Sequence, residues 1–105
     1  MKPTFLELRH LRTLLALKET GSVSMAAKRV YLTQSALSHQ IKLMEEQFGL
    51  PLFERKSNPL RFTAAGDRLI RLANEILPKV IDAERELARV KHGDAGQLRI
   101  AVECH

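Results

Sequence analysis

Cysteine occurs once in the 105 residues, at Cys104, which excludes an internal disulfide. No set of Cys and His has the spacing of zinc ligands: His10, His39, His92 and His105 are scattered, and the adjacent Cys104 and His105 are taken as an incidental pair at the chain end, so no metal site is expected. Long apolar runs are missing too. Nothing approaches the length of a membrane span, and Met1 to Leu17 lacks the small-residue cleavage pattern of a signal peptide, so a cytoplasmic chain without a membrane partner is expected. There is no Ser/His/Asp set, carboxylate pair or Gly-rich phosphate loop on a plausible pocket, which argues against an enzyme. With 45% hydrophobic residues the chain can bury one modest core, and a second full domain does not fit.

Acidic charge is scarce in one part of the chain. Against 17 Lys plus Arg there are 12 Asp plus Glu; ten basic and five acidic residues fall in residues 1–63, and seven of each follow, so the first three-fifths carry the whole net charge of +5. A localised basic excess is the footprint of a nucleic-acid surface, and it also fits an anionic membrane surface.

Within that basic part, two helices with a tight break are predicted between Gly21 and Arg55. The second runs from Gln34 to Phe48, because Thr33 can cap its unpaired N–H groups and Gly49 can take the left-handed conformation that ends it. Leu37, Ile41, Met44 and Phe48 recur at spacings of four, three and four and so form a core stripe. Gln34, Ser35, Ser38, His39 and Lys42 lie opposite, toward the N-terminus, where recognition helices touch base edges. Gln can bond bidentately to adenine, Ser can donate or accept, and His can donate to guanine. Taken alone, such a face also fits an ordinary solvated amphipathic helix. The preceding segment Ser22 to Val30 has a capping Ser, an apolar side made of Val23, Ala26, Ala27 and Val30, and Lys28 and Arg29 pointing away. Tyr31-Leu32-Thr33 has the length of a helix-turn-helix connection, although it lacks the frequent turn glycine. A helix this short is marginal alone and must be held by packing.

Around this pair the pattern extends to a scaffold. Phe5 to Thr20 is a first helix with Leu8, Leu11, Leu14, Leu15 and Leu17 as its apolar flank, stopped by Gly21. Beyond the Leu50-Pro51 break, Leu52 to Arg55 and Leu60 to Thr63 alternate as two short strands about the turn Lys56-Ser57-Asn58-Pro59. The expected fold class is therefore mainly α: a winged helix-turn-helix with a two-stranded wing, whose Arg55, Lys56 and Arg61 can meet phosphates, and a long C-terminal helix. That helix spans Ala64 to Lys91, capped by Thr63. Leu69, Ala73, Ile76, Val80, Ala83, Leu87 and Val90 make a coiled-coil seam along it, which predicts a homodimer, with packing onto the first helix as a compatible use of the same stripe. Pro78 is expected to kink it near Asn74. His92 to Gly96 reads as a hinge, and Gln97 to Val102 as a strand without a sheet to join. The domain division that follows is 1–63 for the DNA-binding unit, 64–91 for the linker and dimerisation helix, and 92–105 for a hinge and the first strand of a missing domain.

The order of elements, with RHLRTLLALKETGSVSMAAKRVYLTQSALSHQIKLMEEQFGLPLFER followed by LRFTAAG, resembles the N-terminal DNA-binding region of the LysR-type bacterial transcriptional regulators from Leu6 to about Val90. The runs QSALSHQ, KSNPLRFT and LRIAVECH are similar to the branch of that family that controls methionine biosynthesis. The resemblance implies base and phosphate contacts from Gln34, Ser35, Ala36, Ser38 and His39 and a phosphate contact from Ser22. His39 stands where Arg is commoner, implying a weaker, pH-sensitive guanine contact. Asn58 stands where a wing Arg enters the minor groove; it cannot supply that charge, and Lys56 replaces it only in part.

The candidate DNA-contacting set is thus Ser22, Thr33, Gln34, Ser35, Ala36, Ser38, His39, Lys42, Arg55, Lys56, Asn58 and Arg61. The partner implied is double-stranded DNA with an inverted-repeat operator. No cofactor is expected in this stretch. For the intact protein the resemblance implies homocysteine as co-inducer, dimers through the long helix, and tetramers through an effector-binding domain. The rival is a winged-helix interaction module that dimerises without reading bases.

Overall fold

Helix boundaries follow the capping chemistry more closely than the apolar pattern. The computed structural model describes residues 4–54 and 59–91, and its helices are α1 (Leu8–Thr20), α2 (Val23–Arg29), α3 (Gln34–Phe48) and α4 (Ala64–Lys91). The bounds expected for α3 and α4 hold. α1 begins three residues later than expected, because Glu7 takes an extended N-cap conformation and its N–H donates to Nδ1 of His10 at 2.9 Å. Phe5 and Leu6, left outside the helix, cover the core instead: the Phe5 ring stacks on His10 and meets the edge of Phe48. Gly21 and Gly49 end α1 and α3 at φ of 70° and 68°, a region open to glycine without a steric cost.

The core lies where α1 crosses the other helices. Ala16 and Leu17 of α1 meet Ala26 and Ala27 of α2 and Leu37 of α3, and the small alanines let the first two helix axes approach. Leu14, Met44, Leu52 and Ile70 form the next layer, and Leu11, Ala73 and Leu77 the last. The first half of α4 is thereby packed onto α1. Ala73, a member of the expected coiled-coil seam, is fully buried within the chain; Leu69, Ile76, Val80 and Val90 are partly covered, whereas Ala83 and Leu87 are exposed. α4 continues helical through Pro78, whose ring lies on an exposed face, where water can bond the carbonyl freed by the missing N–H. At 28 residues it is about 42 Å long.

The two expected wing strands reduce, among the described residues, to a single antiparallel bridge between Phe53 and Phe62. Backbone bonds flank it, Glu54 N–H to Arg61 at 2.9 Å and Thr63 N–H to Leu52 at 3.0 Å. The ladder goes no further on that side because the Leu52 N–H donates to the Glu45 carboxylate at 2.8 Å, and the Thr63 carbonyl already accepts the Asp67 N–H of α4 at 2.9 Å. Residues 56–58 of the expected turn at 56–59, residue 55 of the strand before it, the hinge and the last strand lie outside the described residues.

Candidate nucleic-acid interface

Two capping side chains set the helix-turn-helix. Oγ of Ser22 accepts the Met25 N–H at 3.2 Å, and Oγ1 of Thr33 accepts the Ala36 N–H at 3.0 Å. Each stops its helix from starting earlier and leaves the other first-turn N–H groups facing outward, where a phosphate can meet them. Ser22 is itself held by Thr20, whose hydroxyl donates to the Ala16 and Ser22 carbonyls at 2.8 and 3.1 Å.

Between the helices, Tyr31 supplies the left-handed turn residue for which the sequence offers no glycine. Its φ is 60°, and its side chain is 95% exposed, so no internal contact offsets the strain. The connection closes with the Leu32 N–H on the Ala27 carbonyl at 2.9 Å.

On α3 the expected division of faces is present. Leu37 and Met44 are buried and Ile41 is partly buried, while Thr33, Gln34, Ser35, Ala36, Ser38, His39 and Lys42 are all exposed on one continuous face at the leading end. Phe48 departs from the expected stripe: it is 39% exposed and rests on Phe5 at the rim. Ser35 also lies 3.4 Å from the Thr33 hydroxyl. An exposed face of amide, hydroxyl and imidazole groups can exchange hydrogen bonds with water for bonds to base edges without removing anything from the core.

The base of the hairpin is fixed to this face from behind. The Phe53 and Phe62 rings pack at 4.5 Å, Lys18 lies over Phe62 at 5.7 Å, and the Leu60 N–H reaches the Gly21 carbonyl at 3.4 Å, so the hairpin segment starts beside Ser22. Arg61 is exposed and stands 3.9 Å from Glu54. Arg55, Lys56 and Asn58 lie outside the described residues. Glu45 was not among the expected functional residues, although its bond to Leu52 locks α3 to the hairpin base. No periodicity in the sequence marks a carboxylate that will accept a backbone N–H seven residues on.

His10 is the buried titratable group behind the interface. Burial holds its pKa below the ordinary value, with the Arg9 charge adding to the effect and Glu7 opposing it. The neutral ring suits its place, since Nδ1 must accept the Glu7 N–H. Among the described residues there is no group of three or more His, Cys, Asp or Glu able to hold a metal ion, and no helix is long and apolar enough to cross a membrane.

Residues 8–67 match the model of the bacterial regulatory helix-turn-helix proteins of the lysR family. The chain belongs to the LysR family. Its similarity to curated members is high: 91% identity over all 105 residues to the HTH-type transcriptional regulator MetR of Haemophilus influenzae, and 47% over 100 residues, 95% of this chain, to MetR of Escherichia coli K12. The chain spans about a third of the length of these relatives, 34% and 31% respectively. Among solved structures, the BenM_DBD/catB site 1 DNA complex superposes with a TM-score of 0.75 at 35% identity, covering 84% of this chain and 95% of that one. The four-helix LysR arrangement described above is thus shared with a protein solved on DNA.

Proposed function

We propose that this chain is the DNA-reading part of a LysR-type transcriptional regulator of methionine biosynthesis genes, working in the cytoplasm without catalytic activity of its own. The observation that carries the proposal is the exposed, polar, nearly uncharged leading face of α3, held by Thr33 and backed by Leu37 and Met44, in a chain 91% identical to a MetR. Its contact set is the one named from the sequence, with Ser22 and the leading turns of α3 in the major groove and Arg61 toward the flanking backbone. Dimerisation through the second half of α4 places two α3 helices about one DNA turn apart on an inverted repeat. In the intact protein, homocysteine is the proposed co-inducer and the tetramer the proposed assembly. A band-shift titration tests the claim: the chain binds an operator duplex far more tightly than a scrambled one, and equal affinity at physiological salt would refute specific reading. Sedimentation at tens of micromolar gives a dimer; a monomer alone would refute the role of α4.

A further inference from the structure

Beside the recognition helix lie two adjoining depressions. One, about 390 Å³, is walled by Arg9 and Arg12 of α1, Arg29 at the end of α2, and Tyr31 in the turn. The other, about 270 Å³, runs from Arg9 and His10 to Ala36 and His39 on the reading side of α3. They share Arg9, Leu32 and Gln40, so the arginine-lined cleft continues into the reading face. No carboxylate lines the larger one.

Two features of this cleft are left unexplained by folding. Tyr31 extends into solvent from a strained backbone without an internal partner. The amide oxygen of Gln40 is buried with no hydrogen-bond partner among the described residues, an uncommon state for a polar atom. Arg12 has no ion-pair partner among the described residues, and the pairs Arg9–Glu7 and Arg29–Glu19 are exposed, so competition by an anion costs little.

We propose that this cleft is a further backbone clamp on DNA: Arg9, Arg12 and the Tyr31 hydroxyl bind phosphates on an edge of the major groove that receives the recognition helix. The proposal rests on the DNA-binding function above and adds residues that the helix-turn-helix pattern does not single out. The guanidinium groups match phosphate oxygens bidentately. A helix seated in a major groove has a phosphate backbone on each side of it.

The test is fluorescence anisotropy with a random-sequence duplex of roughly two helical turns and with a duplex selected by the protein, over a range of salt. Arg9→Ala and Arg12→Ala each weaken binding to both duplexes alike, roughly ten-fold at 0.1 M salt, and lower the slope of log affinity against log salt by about 0.9. Arg12→Lys recovers most of the loss, and thermal melting at the wild-type temperature excludes misfolding. Wild-type affinity and slope in both alanine variants would overturn the clamp while leaving DNA binding standing, and would assign the cleft to an acidic protein surface. Failure of the wild-type chain to bind either duplex at low salt would overturn the DNA-binding function and the clamp together. A loss confined to the selected duplex would overturn it as well, since it would make these residues base readers.

Discussion

The carbonyl oxygen of Leu52 occupies the space in which a side chain at Gly66 would begin. A Cβ built there would overlap that oxygen and stand 2.8 Å from Cδ2 of Phe62. The close approach lets Thr63 bridge the two segments, donating to the Pro51 carbonyl at 2.7 Å while capping α4, so the hairpin base and the first turn of α4 behave as one joint. The same joint receives the Glu45 carboxylate from α3.

Gly66→Ala should therefore destabilise the chain by about 2 to 3 kcal/mol, the scale of an overpacked site whose obstacle is backbone. Chemical denaturation reads this directly. An unchanged midpoint would mean that the loop at Leu52 retreats without cost.

Tyr31 gives the opposite expectation. A left-handed non-glycine residue costs about 1 to 2 kcal/mol, whereas glycine loses about 0.5 to 1 kcal/mol through its greater freedom in the unfolded chain. Tyr31→Gly should raise stability by about 0.5 to 1 kcal/mol in urea titration. Tyr31→Ala, which keeps the Cβ, should give no such gain, and equal gains in both would assign the effect to the exposed ring.

His10 makes stability depend on pH in a definite direction. Its folded pKa lies below the ordinary 6.5, so the unfolded chain takes up the proton first and acid favours unfolding. The contribution is complete above 6.5, and it is lost as pH falls toward the folded value. Protonation also replaces the acceptor on which the Glu7 N–H depends. His10→Gln, which keeps an acceptor without a titrating ring, should show a smaller drop in denaturation midpoint between pH 8 and pH 5. A drop equal to wild type would assign the acid sensitivity to other groups.

For base reading, Gln34→Ala or His39→Ala should each cost about 1 to 3 kcal/mol on the operator and little on random DNA. Both side chains are exposed, so melting should be unaffected. Equal losses on the two duplexes would reassign the residue to phosphate contact.

Much of the architecture is legible before folding because its signals are local. Thr33 and Gly49 bracket α3, Thr63 precedes α4, and the stripe of Leu37, Ile41 and Met44 names the buried face; each is decided by chemistry within a turn or two of helix. The exposed set from Thr33 to Lys42 follows as its complement. The first turn of α1 was less legible, since Phe5 and Leu6 satisfy a helical apolar pattern and yet are worth more as a lid over His10 and Phe48. Alternation marks Leu52 to Arg55 and Leu60 to Thr63 as strands, whereas the described residues show one bridge between Phe53 and Phe62, and Glu45 takes the Leu52 N–H that would lengthen the ladder.

By itself, then, the sequence determined the helix order, the caps of α2, α3 and α4, the exposed polar face of α3 and the basic excess, all of which depend on neighbours along the chain. Only the tertiary structure decided how α4 divides its apolar stripe, burying Ala73 and Leu77 against Leu11 while leaving Leu87 exposed. It likewise decided that Gly66 must lack a side chain and that Arg9, Arg12 and Tyr31 share one cleft. Those outcomes depend on which distant atoms meet, and packing density, which no periodicity encodes, sets them.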